Sequence, residues 1–329
     1  MGGIGGHFGA PDLTLTRYIA ARIASLLPIL FGVSVLVFSM QHLVPGDIVD
    51  IVSADLAQGD KTAAARLRKE LRLDRPIVEQ YVYWVGGALT GDLGASFVSG
   101  KPVAAEILRR LPVNLELAAM AMAFAIVVGI PVGTLSAVKR DGWTDAGIRF
   151  ASVLGYSLPN FWVATLTVLV GSLWLPKLPI LQYVPFAENP ARNLVLLLVP
   201  SLVLSLTVLP LIVRMTRAAV LENLALDYVR TARAKGVGEV GVVGRHVLAN
   251  SLIAVLNVAG VQIGVLIGGL VLTEEIFILP GLGRLLLESI QKRDFPVITG
   301  VTLVLATVFI TINLVVDLLH GVLDPRVRR

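Results

Sequence analysis

The chain has 329 residues, of which 55% are hydrophobic and 16% charged, with a net charge of +5 and a mean hydropathy of +0.80. Soluble domains are nearer roughly 45–50% apolar and about 25% charged, so this composition excludes an ordinary soluble domain and predicts an all-α polytopic membrane protein. The absence of cysteine removes disulfides, thiol catalysis and Cys-based metal sites, and the four scattered histidines (His7, His42, His246, His320) have no ligand spacing. The excess positive charge reads as arginines at cytoplasmic membrane edges. The expected contact is therefore membrane lipid, with no nucleic acid.

Residues 1–16 are Gly-rich and are expected to form a disordered cytoplasmic tail. The first apolar run fills 17–44, long enough to cross a bilayer core of about 30 Å. No small-residue cleavage site follows it, so it reads as a retained span. Residues 45–112 are mostly polar and are expected to be an extracytoplasmic loop carrying amphipathic helices. Thr62–Leu71 looks helical and charged. Asp74 is placed to cap a second helix with Pro76 in its first turn. That helix aligns Ile77, Tyr81, Trp84, Val85 and Ala88 on one face, and Gly91 and Gly94 end it. Tyr81, Tyr83 and Trp84 fit either an aromatic belt at the bilayer surface or a ledge for an external binding protein, and the two are compatible.

Residues 113–320 form the expected membrane core. Its apolar runs lie near 113–138, 150–175, 194–215, 251–277 and 297–319, making six spans with the first, and 321–329 is left as a cytoplasmic tail. Basic residues in short loops orient the chain. With the N-terminus inside, Arg17, Arg22, Lys139, Arg140, Arg149, Arg214, Arg217, Arg230, Arg233, Lys235, Arg245 and Arg326 fall on the cytoplasmic side, and the short outer loops keep few. Both termini are therefore expected in the cytoplasm.

Within the fifth run Gly260, Gly264 and Gly268 recur every four residues, with Asn257 just before them. Such a stripe allows close backbone approach. It fits ordinary helix packing or a thin-walled helix lining a passage at a subunit interface. Glu274 and Glu275 close that helix near the outer interface, where solvation explains them at least as well as a functional role does. Pro28, Pro131, Pro159, Pro200 and Pro210 interrupt spans and are expected to kink them. Enzyme signatures are missing: there is no phosphate-binding Gly-rich loop ending in Lys-Ser or Lys-Thr, no His-Glu-x-x-His and no Gly-x-Ser-x-Gly. Energy from a nucleotide would have to come from another chain.

Between the fourth and fifth runs lies a polar coupling loop, 216–250, containing Asp227-Tyr228-Val229-Arg230-Thr231-Ala232-Arg233-Ala234-Lys235-Gly236. Asp227 is placed to cap a helix over Tyr228–Lys235, with Gly236 as the residue past its end. Eight residues make a rod of about 12 Å. Arg230 and Arg233 share a face, Thr231, Ala232 and Ala234 are small enough for a groove to close over them, and Lys235 suits the negative end of the helix dipole. The residues alone fit a loop that merely obeys topology as well as they fit a docking helix.

This segment resembles the cytoplasmic coupling (EAA) loop of binding-protein-dependent ABC importer permeases, in the form used by the oligopeptide/dipeptide/nickel branch. Further stretches carry the resemblance along about 15–329. They are Val44-Pro45-Gly46-Asp47, Leu73-Asp74-Arg75-Pro76, Gly91-Asp92-Leu93-Gly94-Ala95-Ser96-Phe97, Pro159-Asn160-Phe161-Trp162, Glu275-Ile276-Phe277-Ile278-Leu279-Pro280-Gly281-Leu282-Gly283-Arg284, Arg293-Asp294-Phe295-Pro296 and Asp324-Pro325-Arg326. The order of pieces is similar to that of the B-type subunit. The departures are Arg230 at the acidic position of the loop motif and the lack of a clear Leu-Pro after it.

The resemblance implies a type I importer core of five helices plus one N-terminal helix in the bacterial cytoplasmic (inner) membrane. It implies a non-catalytic subunit forming half of a peptide pathway, with no cofactor of its own. It also implies a paralogous permease as heterodimer partner, two ATP-binding cassette subunits that use ATP and Mg²⁺, and an extracytoplasmic solute-binding protein. Nickel chelates, haem or glutathione are alternative cargoes. A secondary carrier acting alone is the alternative from a different class.

Overall fold

A computed structural model describes residues 15–43, 74–174 and 182–323. The expected tail 1–14, the helix over Thr62–Leu71 and the end of the chain from 324 lie outside the described residues. Among the described residues the regular structure is helical, with one isolated bridge, Ala95 to Pro102. The helices are α1 (Leu15–Leu43), α2 (Ile77–Thr90), α3 (Val103–Val138), α4 (Trp143–Ser157), α5 (Asn160–Trp174), α6 (Pro190–Ser205), α7 (Leu209–Leu224), α8 (Asp227–Ala234), α9 (Glu239–Ile276), α10 (Leu282–Gln291) and α11 (Phe295–Leu323). Four of them, in α1, α3, α9 and α11, are long and apolar enough to cross a membrane, and six spans result if the bent pairs α4–α5 and α6–α7 count as one each.

Three boundaries differ from the sequence-based expectation. The helix expected from 113 starts at Val103. Pro112 interrupts the polar-to-apolar reading but not the helix. The third expected span is two helices meeting at 94°. Leu158, forced extended by the following proline (φ −80°, ψ 126°), makes the corner. The fourth is likewise broken, at 62°, across the turn Leu206–Val208 that precedes Pro210.

Two compact units divide the chain. The larger holds described residues 15–26, 113–174, 182–279 and 309–323. In it α9 packs on α5, α6 and α7, and α4 on α7. Gly129 and Gly133 of α3 sit so close to Ile212, Val213 and Thr216 of α7 that a Cβ at either would collide. Glycines four apart allow this backbone approach. Buried polar groups lock the same unit. Asp145 accepts from Ser136 Oγ and from Arg217 through Nε and Nη2, both at 2.8 Å. Glu274 is fully buried and accepts from Asn114 Nδ2 at 2.7 Å. Solvation at the interface therefore does not account for Glu274, although Glu275 is exposed.

The smaller unit holds described residues 27–43, 74–112 and 280–308. Its core is Val103 and Ile107 from the start of α3, Leu282 and Leu285 from α10, and Val297 and Val301 from α11. Asp294, nearly buried, receives Ser96 Oγ and the Phe97 N–H. Gly-Asp-Leu-Gly-Ala-Ser-Phe and Arg-Asp-Phe-Pro, separate stretches of sequence, are thus one clasp.

Candidate functional site

α8 spans Asp227–Ala234 and has one covered and one open side. Val229 and Ala232 are buried in a cluster with Ala137, Val220, Val242 and Val247. Tyr228 packs against the same cluster, and its hydroxyl donates to Asn223 Oδ1 at 2.9 Å. Asn223 in turn donates to Ser251 Oγ, at 3.2 Å, on α9. Ser251 is itself fully buried. A continuous chain of hydrogen bonds therefore ties α8 to the two long helices on either side of it in sequence.

Asp227, Arg230, Thr231, Arg233, Ala234, Lys235 and Gly236 are exposed. Asp227 is not the cap. Leu226 takes that place without a side-chain bond, and Asp227 lies in the first turn, paired with Arg230 at 3.3 Å. The carboxylate still favours the positive end of the helix. Gly236 does stand just past the helix end, with φ +79°. Its N–H reaches Arg233 O at 2.9 Å, and Val237 N–H reaches Ala232 O at 3.2 Å. This pair of bonds is a Schellman motif, which needs the left-handed residue that glycine supplies.

Arg233 is partly committed inside the chain. Its Nε and Nη2 form a two-pronged pair with Glu239 at 2.7 and 3.1 Å. That bond raises the Arg233 pKa further above an already high value, so the charge is permanent. Glu239 was not singled out from the sequence. The available signal was an acidic residue immediately after the Gly236-Val237-Gly238 turn. Beyond it, Val242–Val247 form a π-helical turn at the base of α9, and α8 packs against that turn. π-Turns are rare and concentrate at functional sites.

The glycine stripe divides. A Cβ at Gly260 would meet Val316, and one at Gly264 would meet Phe309, both on α11 of the same chain. These two glycines serve packing within the subunit. Gly268 has open space around it, and Asn257 is exposed.

On α2 the aromatics also divide. The helix starts at Ile77 with Pro76 as its cap residue, so Asp74 does not cap it. Tyr81 bonds Ser34 at 2.7 Å and stacks edge-on against Phe31 and Phe38 of α1, while Trp84 lies 5.7 Å from Phe38. Tyr83 is 58% exposed on the other side.

Residues 129–329 match the family model described as binding-protein-dependent transport system inner membrane component, and residues 15–118 match its N-terminal companion. A putative peptide transport system permease protein of Brucella abortus is 42% identical over 314 residues, covering 95% of this chain and 99% of the relative. The dipeptide transport system permease protein of Escherichia coli is 38% identical over 337 residues, with the same coverage of each. A di/tripeptide transport system permease protein of Pseudomonas aeruginosa is 38% identical over 334 residues, again at 95% and 99% coverage. The chain belongs to the family of binding-protein-dependent transport inner membrane components, as a multi-pass permease subunit of the inner membrane.

Proposed function

We propose that this chain forms half of the pathway of an ATP-driven peptide importer, with α8 as the contact through which ATPase subunits move it. The observation that carries the reading is the division of α8. One side is fastened to α7 and α9 through Tyr228, Asn223 and Ser251. The other offers Arg230, Thr231, Ala234 and Lys235 to a partner. A force applied to the open side is delivered to both long helices. The pathway partner is a paralogous permease, two cassette subunits hold ATP and Mg²⁺, and a solute-binding protein delivers the cargo. On this reading the termini and α8 face the cytoplasm, an orientation supported by the distribution of arginines. Peptide cargo is supported by the relatives named for peptide, dipeptide and di/tripeptide transport.

Alternating access follows from differential contacts. The ATPases bind the two conformations unequally, so nucleotide binding shifts the population between inward- and outward-facing states. The test is purification and reconstitution of the chain with its operon partners. Gly236→Pro cannot adopt φ +79° and removes the N–H that closes α8. The variant is expected to insert and assemble normally, with ATP hydrolysis no longer coupled to uptake. Wild-type uptake and peptide-stimulated hydrolysis in that variant would overturn the assignment of α8.

A further inference from the structure

The two broken spans put their breaks beside one another. A cavity of about 340 Å³ is lined by Gly155, Tyr156, Leu158 and Asn160 from the α4–α5 corner and by Leu206 and Thr207 from the α6–α7 turn. Its volume lies within the roughly 300–1,000 Å³ usual for small-ligand sites. Arms of 15 residues flank the first break and arms of 16 the second, so each break falls halfway along its bent pair.

The chemistry of the lining is consistent. Asn160 Oδ1 and Thr207 Oγ1 are buried atoms with no hydrogen-bond partner. Asn160 Nδ2 donates to Thr273 Oγ1 (3.4 Å), whose own hydroxyl donates to Gly269 O (3.4 Å). That direction of donation leaves the amide oxygen as the unused end. Pro159 and Pro210 carry no N–H, so the carbonyls four residues earlier, on Gly155 and Leu206, lose their helical donors. Both of those residues line the same cavity. Two orphaned side-chain oxygens thus belong to one cavity lining, and none of the six lining residues named is charged.

Buried acceptors of this kind are costly unless something donates to them. Irregular backbone at membrane depth is tolerated where it lines a polar cavity, and transporters place their sites at such breaks. We infer that this cavity is a transit seat for peptide backbone, in which an amide N–H of the cargo is shared between Asn160 Oδ1 and Thr207 Oγ1 as it passes. A neutral amide suits it better than an ammonium, which would need a counter-charge at that depth. Every peptide carries the group whatever its side chains, and neutral acceptors hold it weakly enough to let it pass. The inference rests on the peptide-import reading above.

The test uses the complete importer in proteoliposomes with its binding protein, and two labelled cargoes. One is a dipeptide, and the other is its ester isostere, with oxygen in place of the amide N–H. Uptake by each variant is expressed relative to wild type with the same cargo. Thr207→Val is expected to lower dipeptide uptake about fivefold, the loss of roughly one hydrogen bond, and to leave ester uptake within about twofold. Thr207→Ser, which keeps the hydroxyl, is expected to restore the dipeptide. Asn160→Leu supplies the same contrast should Thr207→Val not assemble. Equal losses for both cargoes, or no loss for either, would overturn the seat while leaving the import reading intact. A wild-type complex that takes up neither cargo with ATP would remove the import reading, and this inference with it.

Discussion

α8 and α2 are both short helices rich in tyrosine, tryptophan or charge, and both lie outside the long apolar spans. They divide their residues differently. α8 turns its aromatic and small apolar residues inward, and keeps charge and small side chains outward. α2 commits Tyr81 and Trp84 to α1 and leaves Tyr83 on the open side. A contact surface is therefore not the set of conspicuous residues on a helix. It is what remains after the fold has taken its anchors, and in both helices the conspicuous aromatics are largely the anchors.

The sharpest way to break this comparison is at Arg233. Arg233→Glu sets two carboxylates against each other at Glu239 and reverses a charge on the open side. Uptake is expected to be nearly lost, with membrane insertion unchanged. The swap Arg233→Glu with Glu239→Arg rebuilds the internal pair without the original outward charge. If it restores uptake, Arg233 acts as a staple. If it does not, Arg233 also touches the ATPase. Next in size are Tyr81→Ala and Trp84→Ala. Each is expected to loosen α2 from α1 by about 2–4 kcal/mol, read as faster hydrogen exchange across Ile77–Thr90. Tyr228→Phe removes a single hydroxyl and leaves Asn223 short of a partner. About 1–2 kcal/mol of local stability should be lost. Uptake per ATP is expected to fall while the ATPases still co-purify. Loss of co-purification would place Tyr228 in the partner contact instead. Smallest is Tyr83→Ala, which removes a side chain that is 58% exposed and is expected to cost α2 less stability than either of its aromatic neighbours. A fall in uptake without a change in exchange would make Tyr83 a contact for the binding protein.

Much of the fold was legible because it rests on local composition. The long apolar runs of α1, α3, α9 and α11, the short polar helix between α7 and α9, and the glycine past its end all follow from residues near one another in sequence. Prolines 159 and 210 announced kinks, but their angles and the cavity the two breaks share depend on how separate helices pack. The start of α3 was misplaced because Pro112 reads as a stop, whereas the packing of Val103 and Ile107 against α10 and α11 carries the helix through it. In the candidate site the exposed charges of α8 were readable from their polarity, while the partners of Tyr228 and Arg233, namely Asn223 and Glu239, were not, because no helical spacing marks them.

The sequence by itself determined that this is an all-α membrane protein, where its apolar runs lie, and which short polar segment stands between the fourth and fifth of them. Hydropathy, helical period and glycine stereochemistry act over a few residues, so they are written locally. Only the tertiary structure decided which face of α8 is free, that Glu274 is buried, that Gly260 and Gly264 pack against α11, and that two helix breaks share a cavity. Each of these depends on a partner tens of residues away. Asn223 with Ser251, Asn114 with Glu274 and Asn160 with Thr273 are pairings that burial and distance select, and no local pattern encodes them.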